Sequence, residues 1–181
     1  MNNLETTVAA TTETNIQQAV QTPFFAVSLT KLVVLSTCTI GLYEIFWFYK
    51  NWKLIKEQEQ ELKYILPFWR ALFIHFYCYS LFKKVANKLE ILGLGYLPTG
   101  LLALGYCVFI LCSHLKDPYF FIGYLSVFFM LPIQSAINQI NAIKAPGHNP
   151  NSQFSAWNII AIIFGGVLNL LILVSIFTRI E

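Results

Sequence analysis

The sequence predicts an all-α integral membrane protein with four transmembrane helices and one basic amphipathic helix at the membrane surface. Three observations support this class. Of the 181 residues, 56% are apolar and only 12% are charged, whereas about a quarter of the residues in soluble domains are charged. Apolar stretches of 18 to 22 residues recur between short polar segments, which is the length that a helix needs to cross a bilayer. Most Lys and Arg residues lie between positions 50 and 88, a clustering typical of cytoplasmic segments.

The chain divides into a polar tail and one membrane domain. Residues 1–24 are rich in Thr, Asn and Gln and contain no Lys or Arg, so we expect a disordered tail. Residues 25–181 form the membrane domain, with spans predicted at about 32–49, 97–115, 119–137 and 157–178. A charged segment at 51–66 leads from the first span to the amphipathic helix.

The stretch at about 67–92 resembles a fifth span, but we expect it to lie flat on the cytoplasmic surface. Only twelve uncharged residues separate Arg70 from Lys83. They would make about 18 Å of helix, too little for a hydrocarbon core about 30 Å thick. A flat helix also places the lysines at 50, 53, 56, 63, 83, 84 and 88 on one side with Arg70, as the positive-inside rule favours. Both chain termini then lie outside.

Helical spacing gives this stretch a continuous apolar face. In the flat arrangement that face would rest on lipid. Its members are Ala71, Ile74, Cys78, Leu81, Phe82, Val85 and Leu89.

Three segments resemble one known group of proteins. TIGLYEIFWFYKNW (39–52), PFWRA (67–71) and LPIQSAINQIN (131–141) occur in this order, and together they resemble small bacterial inner-membrane proteins grouped as a domain of unknown function. The resemblance covers roughly residues 25–178. It implies a multi-pass protein of the bacterial inner (plasma) membrane, and it supplies no catalytic residues.

Polar residues within the apolar segments are candidates for a structural or functional cluster. A carboxylate at the depth of Glu44 needs a partner or a proton, and we expect a structural pair with Arg70, the alternative being an ion- or proton-handling acid. The side-chain amides either bond helices together or line a ligand site near the inner surface. The candidate cluster comprises Glu44, Arg70, Gln134, Asn138, Asn141, Asn158 and Asn169.

The sequence offers little material for catalysis or metal binding. It contains one Asp and no HExxH, GxSxG or phosphate-loop motif. His75 lacks partners at zinc-binding spacing, and His114 and His148 are predicted on opposite sides of the membrane. No two of the four cysteines form a CxxC pair, so buried free thiols are expected. We therefore expect no enzyme activity, no catalytic residue, no cofactor and no metal.

The leading hypothesis is a non-catalytic scaffold or accessory subunit that presents a basic, aromatic platform on the cytoplasmic face. Lys83, Lys84 and Lys88 would contact anionic lipid headgroups or a partner there. The expected partners are membrane lipid and a second membrane protein or further copies of this chain, but not nucleic acid. The alternative is a small transporter or channel that uses Glu44 and the amide-lined helix interfaces. A membrane enzyme would require a polar cavity with at least two converging titratable groups.

Overall fold

The computed structural model describes residues 21–116 and 119–180, with the backbone alone at 177, 179 and 180. This part of the chain is all-helical and contains no strand, which confirms the predicted all-α class. Short 3-10 segments lie at Gln60–Leu62 and Tyr119–Leu125. The α-helices are α1 (Leu29–Cys38), α2 (Leu42–Gln58), α3 (Pro67–Leu72), α4 (Ile74–Ile91), α5 (Thr99–Cys112), α6 (Ser126–Lys144) and α7 (Ala156–Ile180).

The predicted first span at 32–49 is wrong, because the helix breaks in its middle. Ile40 and Gly41 both adopt left-handed backbone conformations, with φ of 55° and 81°. This conformation is costly for a β-branched residue such as Ile40 and is readily adopted by glycine. The helix therefore ends at Cys38 and begins again at Leu42.

The two halves fold back on each other instead of continuing in one direction. The Asn51 side-chain oxygen accepts a hydrogen bond from the backbone N–H of Phe25 at 3.0 Å, and Phe25 lies three residues before Ser28, the N-cap of α1. A straight helix would separate Ser28 from Asn51 by about 35 Å, whereas the chain from Phe25 to Ser28 spans at most about 11 Å. We call α1, residues 39–41 and α2 the first hairpin.

The first hairpin changes the predicted position of the N-terminal segment. The Gln58 side-chain amide donates to the Thr22 carbonyl at 3.0 Å, so residue 22 lies beside the charged segment and not on the opposite side from it. The expectation that the tail and the charged segment occupy opposite sides is therefore wrong for residues 21–24, the described end of the tail. Residues 1–20 of the predicted disordered tail lie outside the described residues, but Phe24 at its end is buried.

The predicted flat helix at 67–92 is also two helices, and they form a second hairpin. It consists of α3, Phe73 and α4, and Phe73 is both the C-cap of α3 and the N-cap of α4. In the second half of α4, the Lys84 ammonium contacts the Glu59 carboxylate at 2.6 Å, and Ile91 at the end of α4 borders a cleft together with Gln58 and Glu59. Both ends of this stretch are therefore close to the charged segment, although the helix does not form one flat rod.

The apolar face predicted for this stretch is real, but it packs on protein. Its seven members are all buried, from Ala71 at 0% exposure to Leu89 at 4%. α4 packs against α2, α5 and α6, and the rings of Phe48, Phe82 and Tyr106 meet in the core. The expectation that this face rests on lipid is wrong, because the folded-back helix has other helices to cover it.

Within the described residues, two segments are long and apolar enough to cross a membrane: Tyr119–Lys144 and Ala156–Ile176. They coincide with the spans predicted at 119–137 and 157–178. In the most apolar 18-residue window of each segment, 44% of the first window and 11% of the second are buried inside the protein. The second segment is therefore not covered by protein as the core helix of a soluble protein would be. α5 replaces the span predicted at 97–115 and is shorter, with 14 residues.

Candidate functional site

Both hairpin tips and the α5–α6 connection border one cavity of about 340 Å³, which we call the hairpin-tip cavity. The first hairpin supplies Ser36, Gly41 and Glu44, and the second supplies Leu72 and His75. Seven of its sixteen lining residues have polar side chains, among them Glu44. The remaining lining residues are Ile40, Leu42, Ile45, Ile74, Ile110, Ser113, His114, Phe120, Gly123, Tyr124 and Ser126.

Glu44 is the central polar group of this cavity. Glu44 is only 3% exposed, because Tyr106 of α5 and Ser126 of α6 lie against its carboxylate. The Tyr106 hydroxyl donates to one carboxylate oxygen at 2.8 Å, and the Ser126 hydroxyl donates to the other at 3.3 Å. Two neutral donors leave a buried carboxylate without a compensating charge.

The expected pair between Glu44 and Arg70 is wrong. In the part of the chain that the structure describes, Glu44 has no cationic partner within 4.0 Å, and the ion pairs are Lys53–Glu57 and Lys84–Glu59. The Arg70 guanidinium instead lies over the rings of Trp52 and Tyr77, at 4.5 and 4.9 Å from their centroids. Stacking on two aromatic faces satisfies Arg70 without an acid.

Residues of α7 stabilise the helix break beside Glu44 by contacting the end of α1. The end of α1 leaves backbone carbonyls without helical partners, and the Asn169 side-chain amide donates to the carbonyl of Cys38 at 3.2 Å. The Tyr124 hydroxyl donates to the other side of the same amide. Gly165 allows this approach, because a Cβ atom there would collide with the Cys38 carbonyl oxygen.

The cavity wall also contains a buried hydroxyl, that of Ser36 on the other arm of the first hairpin. Among the described residues, the hydroxyl of Ser36 has no hydrogen-bond partner although it is buried. Such a group is normally satisfied by protein or by a bound molecule. Ser36 and Glu44 belong to the two arms of the same hairpin and both face the hairpin-tip cavity.

Two histidines also line the cavity, which the sequence did not predict. His75 and His114 were expected to be far apart, but the turn of the second hairpin brings His75 to the end of α5, near His114. Within the described structure, neither of them hydrogen-bonds to Glu44. A membrane enzyme was expected to require at least two converging titratable groups in a cavity. Glu44, His75 and His114 line the same cavity, but no hydrogen bond joins them in the described structure.

Three of the predicted amides have a different task. Gln134, Asn138 and Asn141 lie on one face of α6 and bind the extended backbone of residues 24–27. Asn141 accepts from the N–H of Phe24 at 3.2 Å and donates to its carbonyl at 2.9 Å. Gln134 and Asn138 donate to the carbonyls of Phe25 and Val27 at 3.2 and 3.0 Å.

The backbone of residues 24–27 has a further partner, Asn151, that the sequence analysis did not identify. Asn151 donates to the Ala26 carbonyl at 3.0 Å and accepts from the Lys31 ammonium at 2.7 Å. The Asn151 contacts join the segment to the loop after α6. The available signal was composition, because Asn149, Asn151 and other polar residues are concentrated in that loop.

The remaining cluster candidate lies elsewhere. Asn158 is at the start of α7, where it accepts from the N–H of Ser155 at 3.0 Å while Ser155 accepts from the N–H of Asn158 at 3.3 Å. This reciprocal arrangement caps the helix. The predicted cluster is therefore dispersed: Asn169 is at the helix break beside Glu44, whereas Arg70, the α6 amides and Asn158 lie in three other places.

The three lysines predicted to contact lipid or a partner differ in their surroundings. Lys83 is exposed, with its ammonium 6.0 Å from the ring centroid of Tyr79. Lys84 is bound to Glu59, whereas Lys88 lines a small cleft of about 330 Å³ together with Glu59 and Asn87. An acid therefore accompanies two of the three lysines.

The four cysteines are free thiols, as predicted, but only Cys78 is buried and the other three are half-buried. The Sγ atoms of Cys78 and Cys107 are 3.4 Å apart, which joins α4 to α5. Within the described residues, no group of three His, Cys, Asp or Glu side chains is arranged to hold a metal ion.

Comparison with known proteins does not assign the chain to a family. The chain matches no protein-family profile, no curated protein and no solved structure.

Proposed function

We propose that this protein is a multi-pass membrane protein in which three segments cross the bilayer: residues 97–115, which contain α5, residues 119–144 and α7. In this topology, the two hairpins enter from the side of the 145–155 loop and return to it. The support is geometric. Thr22 bonds to Gln58 and Lys31 to Asn151, so the open ends of the first hairpin lie on the side of that loop. Irregular backbone at membrane depth is tolerated when protein or a cavity surrounds it.

The depth of the hairpin tip follows from α7. Cys38 contacts Gly165, which lies nine residues, or about 14 Å, along α7 from Ala156. A hydrocarbon core is about 30 Å thick, so the tip comes close to the middle of the bilayer. The 11% buried window of α7 supports this placement, since water would otherwise cover a long apolar helix.

We infer that the protein is a small transporter whose substrate site is the hairpin-tip cavity and whose coupling group is Glu44. One observation carries this proposal: a buried carboxyl with only neutral hydrogen-bond donors sits beside a broken helix and opens into a cavity. Broken helices near the midplane are common sites for substrates and coupling ions in secondary transporters. An acid without a cationic partner can take up either a proton or a small cation.

The test is cation-dependent proton movement in proteoliposomes. Vesicles with an imposed pH gradient and an entrapped pH-sensitive dye would receive sodium, potassium or a small amine. We expect at least one of these to dissipate the gradient through the native protein. Glu44→Gln should reduce this to the level of protein-free vesicles, and Glu90→Gln, an exposed glutamate of α4, should leave it unchanged. Equal rates in native protein and Glu44→Gln would contradict the proposal.

A second proposal is the scaffold function, and α7 favours it. This helix packs chiefly against α1, and exposed apolar side chains such as Ile163, Phe164 and Leu170 cover much of the rest. That surface fits a partner membrane helix or a further copy of the chain. Cross-linking in native membranes should then give a discrete adduct through α7, whereas a monomer alone would count against it.

A further inference from the structure

A groove separate from the hairpin-tip cavity lies between the start of the second hairpin and the C-terminal half of α2. Its volume is about 660 Å³, which is in the range of ligand sites. One wall carries Lys53, Lys56 and Lys63, and the other carries Phe68 and Trp69 at the start of α3. The remaining lining residues are Tyr49, Glu57, Leu66 and Pro67. We call it the lysine groove.

The charge of the lysine groove is positive. Three lysines and one glutamate give a net charge of +2. Glu57 neutralises little of it, because its contact with Lys53 is long, at 3.9 Å, and both side chains are about half exposed. In the described structure, Lys56 and Lys63 have no acidic partner, and the Lys63 ammonium lies near the ring of Tyr64.

An exposed apolar row leads out of this groove along the second hairpin. Phe68, Trp69 and Phe73 are 59%, 50% and 47% exposed, and their ring centroids lie 5.7 Å apart from Phe68 to Trp69 and 5.9 Å apart from Trp69 to Phe73. The row runs toward the hairpin tip, because it ends at Phe73, whose neighbour Leu72 borders the cavity that holds Glu44. The lysines therefore stand at one end of an apolar track.

We propose that the lysine groove binds the headgroup of an anionic phospholipid, whose acyl chain lies along Phe68, Trp69 and Phe73. Positive charge at one end and an aromatic track from that end match a phosphate headgroup followed by a hydrocarbon chain. Lysine clusters at the membrane surface bind anionic headgroups in this way. The lysine groove is a different site from the one predicted at Lys83, Lys84 and Lys88. Lys84 is already paired with Glu59 there.

Trp69 provides a direct probe, since it lines the groove and is 50% exposed. In a Trp157→Phe background the other tryptophans, Trp47 and Trp52, are fully buried. Phosphatidylglycerol and phosphatidylcholine with brominated acyl chains would be added to the protein in detergent micelles. We expect phosphatidylglycerol to quench Trp69 at a lower concentration than phosphatidylcholine.

The matched variants test the lysines. Lys53→Gln, Lys56→Gln and Lys63→Gln together should weaken phosphatidylglycerol binding by at least about tenfold, since each lysine near an anionic lipid contributes about fivefold. Replacing Lys83, Lys88 and Lys144 with Gln removes the same charge elsewhere and should preserve the preference. Equal quenching by the two lipids in the native protein, or equal losses in both triple variants, would overturn the proposal.

Inorganic phosphate separates the lipid from a free anion. We expect millimolar phosphate to leave the quenching by phosphatidylglycerol unchanged, because phosphate makes no contact with the apolar row. Competitive displacement by phosphate would instead assign the lysines to a soluble anion and overturn the proposal. The measurement is made in micelles and does not involve Glu44, so its outcome is independent of the transport assay.

Discussion

The two hairpins both turn at the same cavity, but they are built in opposite ways. The first is anchored by hydrogen bonds to backbone: amides of α6 hold its entry segment, and Asn169 holds the carbonyl of Cys38 at its tip. The second is anchored by side-chain packing and by Arg70 on two aromatic rings. Its tip exposes Phe73 and Phe76, whereas the first buries Glu44. This difference is the basis of the two proposals, a coupling carboxylate in the first hairpin and a lipid contact on the second.

The largest expected effect is at the entry of the first hairpin. Asn141→Ala would remove the partner of both the N–H and the carbonyl of Phe24, which is 5% exposed. Buried backbone groups without partners cost about 1–3 kcal/mol each, so we expect a loss of about 3 kcal/mol. Thermal unfolding in detergent measures it. Gln139→Ala, an exposed position on the same helix, should change little, and an equally stable Asn141→Ala protein would contradict this anchoring.

The next effect is at the tip of the first hairpin. Gly165→Ala would place a Cβ atom against the carbonyl oxygen of Cys38, and the obstacle is backbone that cannot rotate away. Overpacking of this kind costs about 1–3 kcal/mol, and the displaced tip should also lower transport. The neighbouring Gly166→Ala meets nothing within 4 Å and is the control. Matching unfolding midpoints for the two variants would mean that α1 does not approach α7 so closely.

The smallest effect is expected in the second hairpin. Arg70→Met would retain the length of the side chain but lose its attraction to the rings of Trp52 and Tyr77, for a cost of about 1 kcal/mol. Arg70→Lys keeps the charge but not the planar group and should fall between Arg70→Met and the native protein. Unfolding midpoints and the tryptophan emission spectrum report both changes. A loss in Arg70→Met as large as that in Asn141→Ala would remove the contrast between the hairpins.

Sequence periodicity identified faces correctly but could not show what covers them. All seven apolar positions from Ala71 to Leu89 are buried on one face, and Gln134, Asn138 and Asn141 share another. The partners of these faces are far away in the chain, such as Phe24, which is 117 residues from Asn141. Local spacing contains no information about such contacts.

The breaks at Ile40 and Phe73 were missed for a related reason. Both occur within apolar runs whose composition is that of a continuous helix, and only Gly41 gave a local signal for a turn. Tertiary contacts decide the outcome there, since Asn169 satisfies the free end of α1. The predicted pair of Glu44 and Arg70 is wrong because the position of Glu44 was inferred from one unbroken span. The helix instead breaks at residues 39–41, and Glu44 lies at the tip of a hairpin.

The most direct test concerns the side on which the first hairpin begins and ends. Single cysteines would replace Thr30, Lys53 and Lys116 in a protein whose four native cysteines are changed to alanine, and an impermeant maleimide would be applied to vesicles of each orientation. We expect Thr30→Cys and Lys53→Cys to be labelled from the same side, and Lys116→Cys from the opposite side. Labelling of Thr30→Cys together with Lys116→Cys would show that residues 29–58 cross the membrane, and would contradict the hairpin.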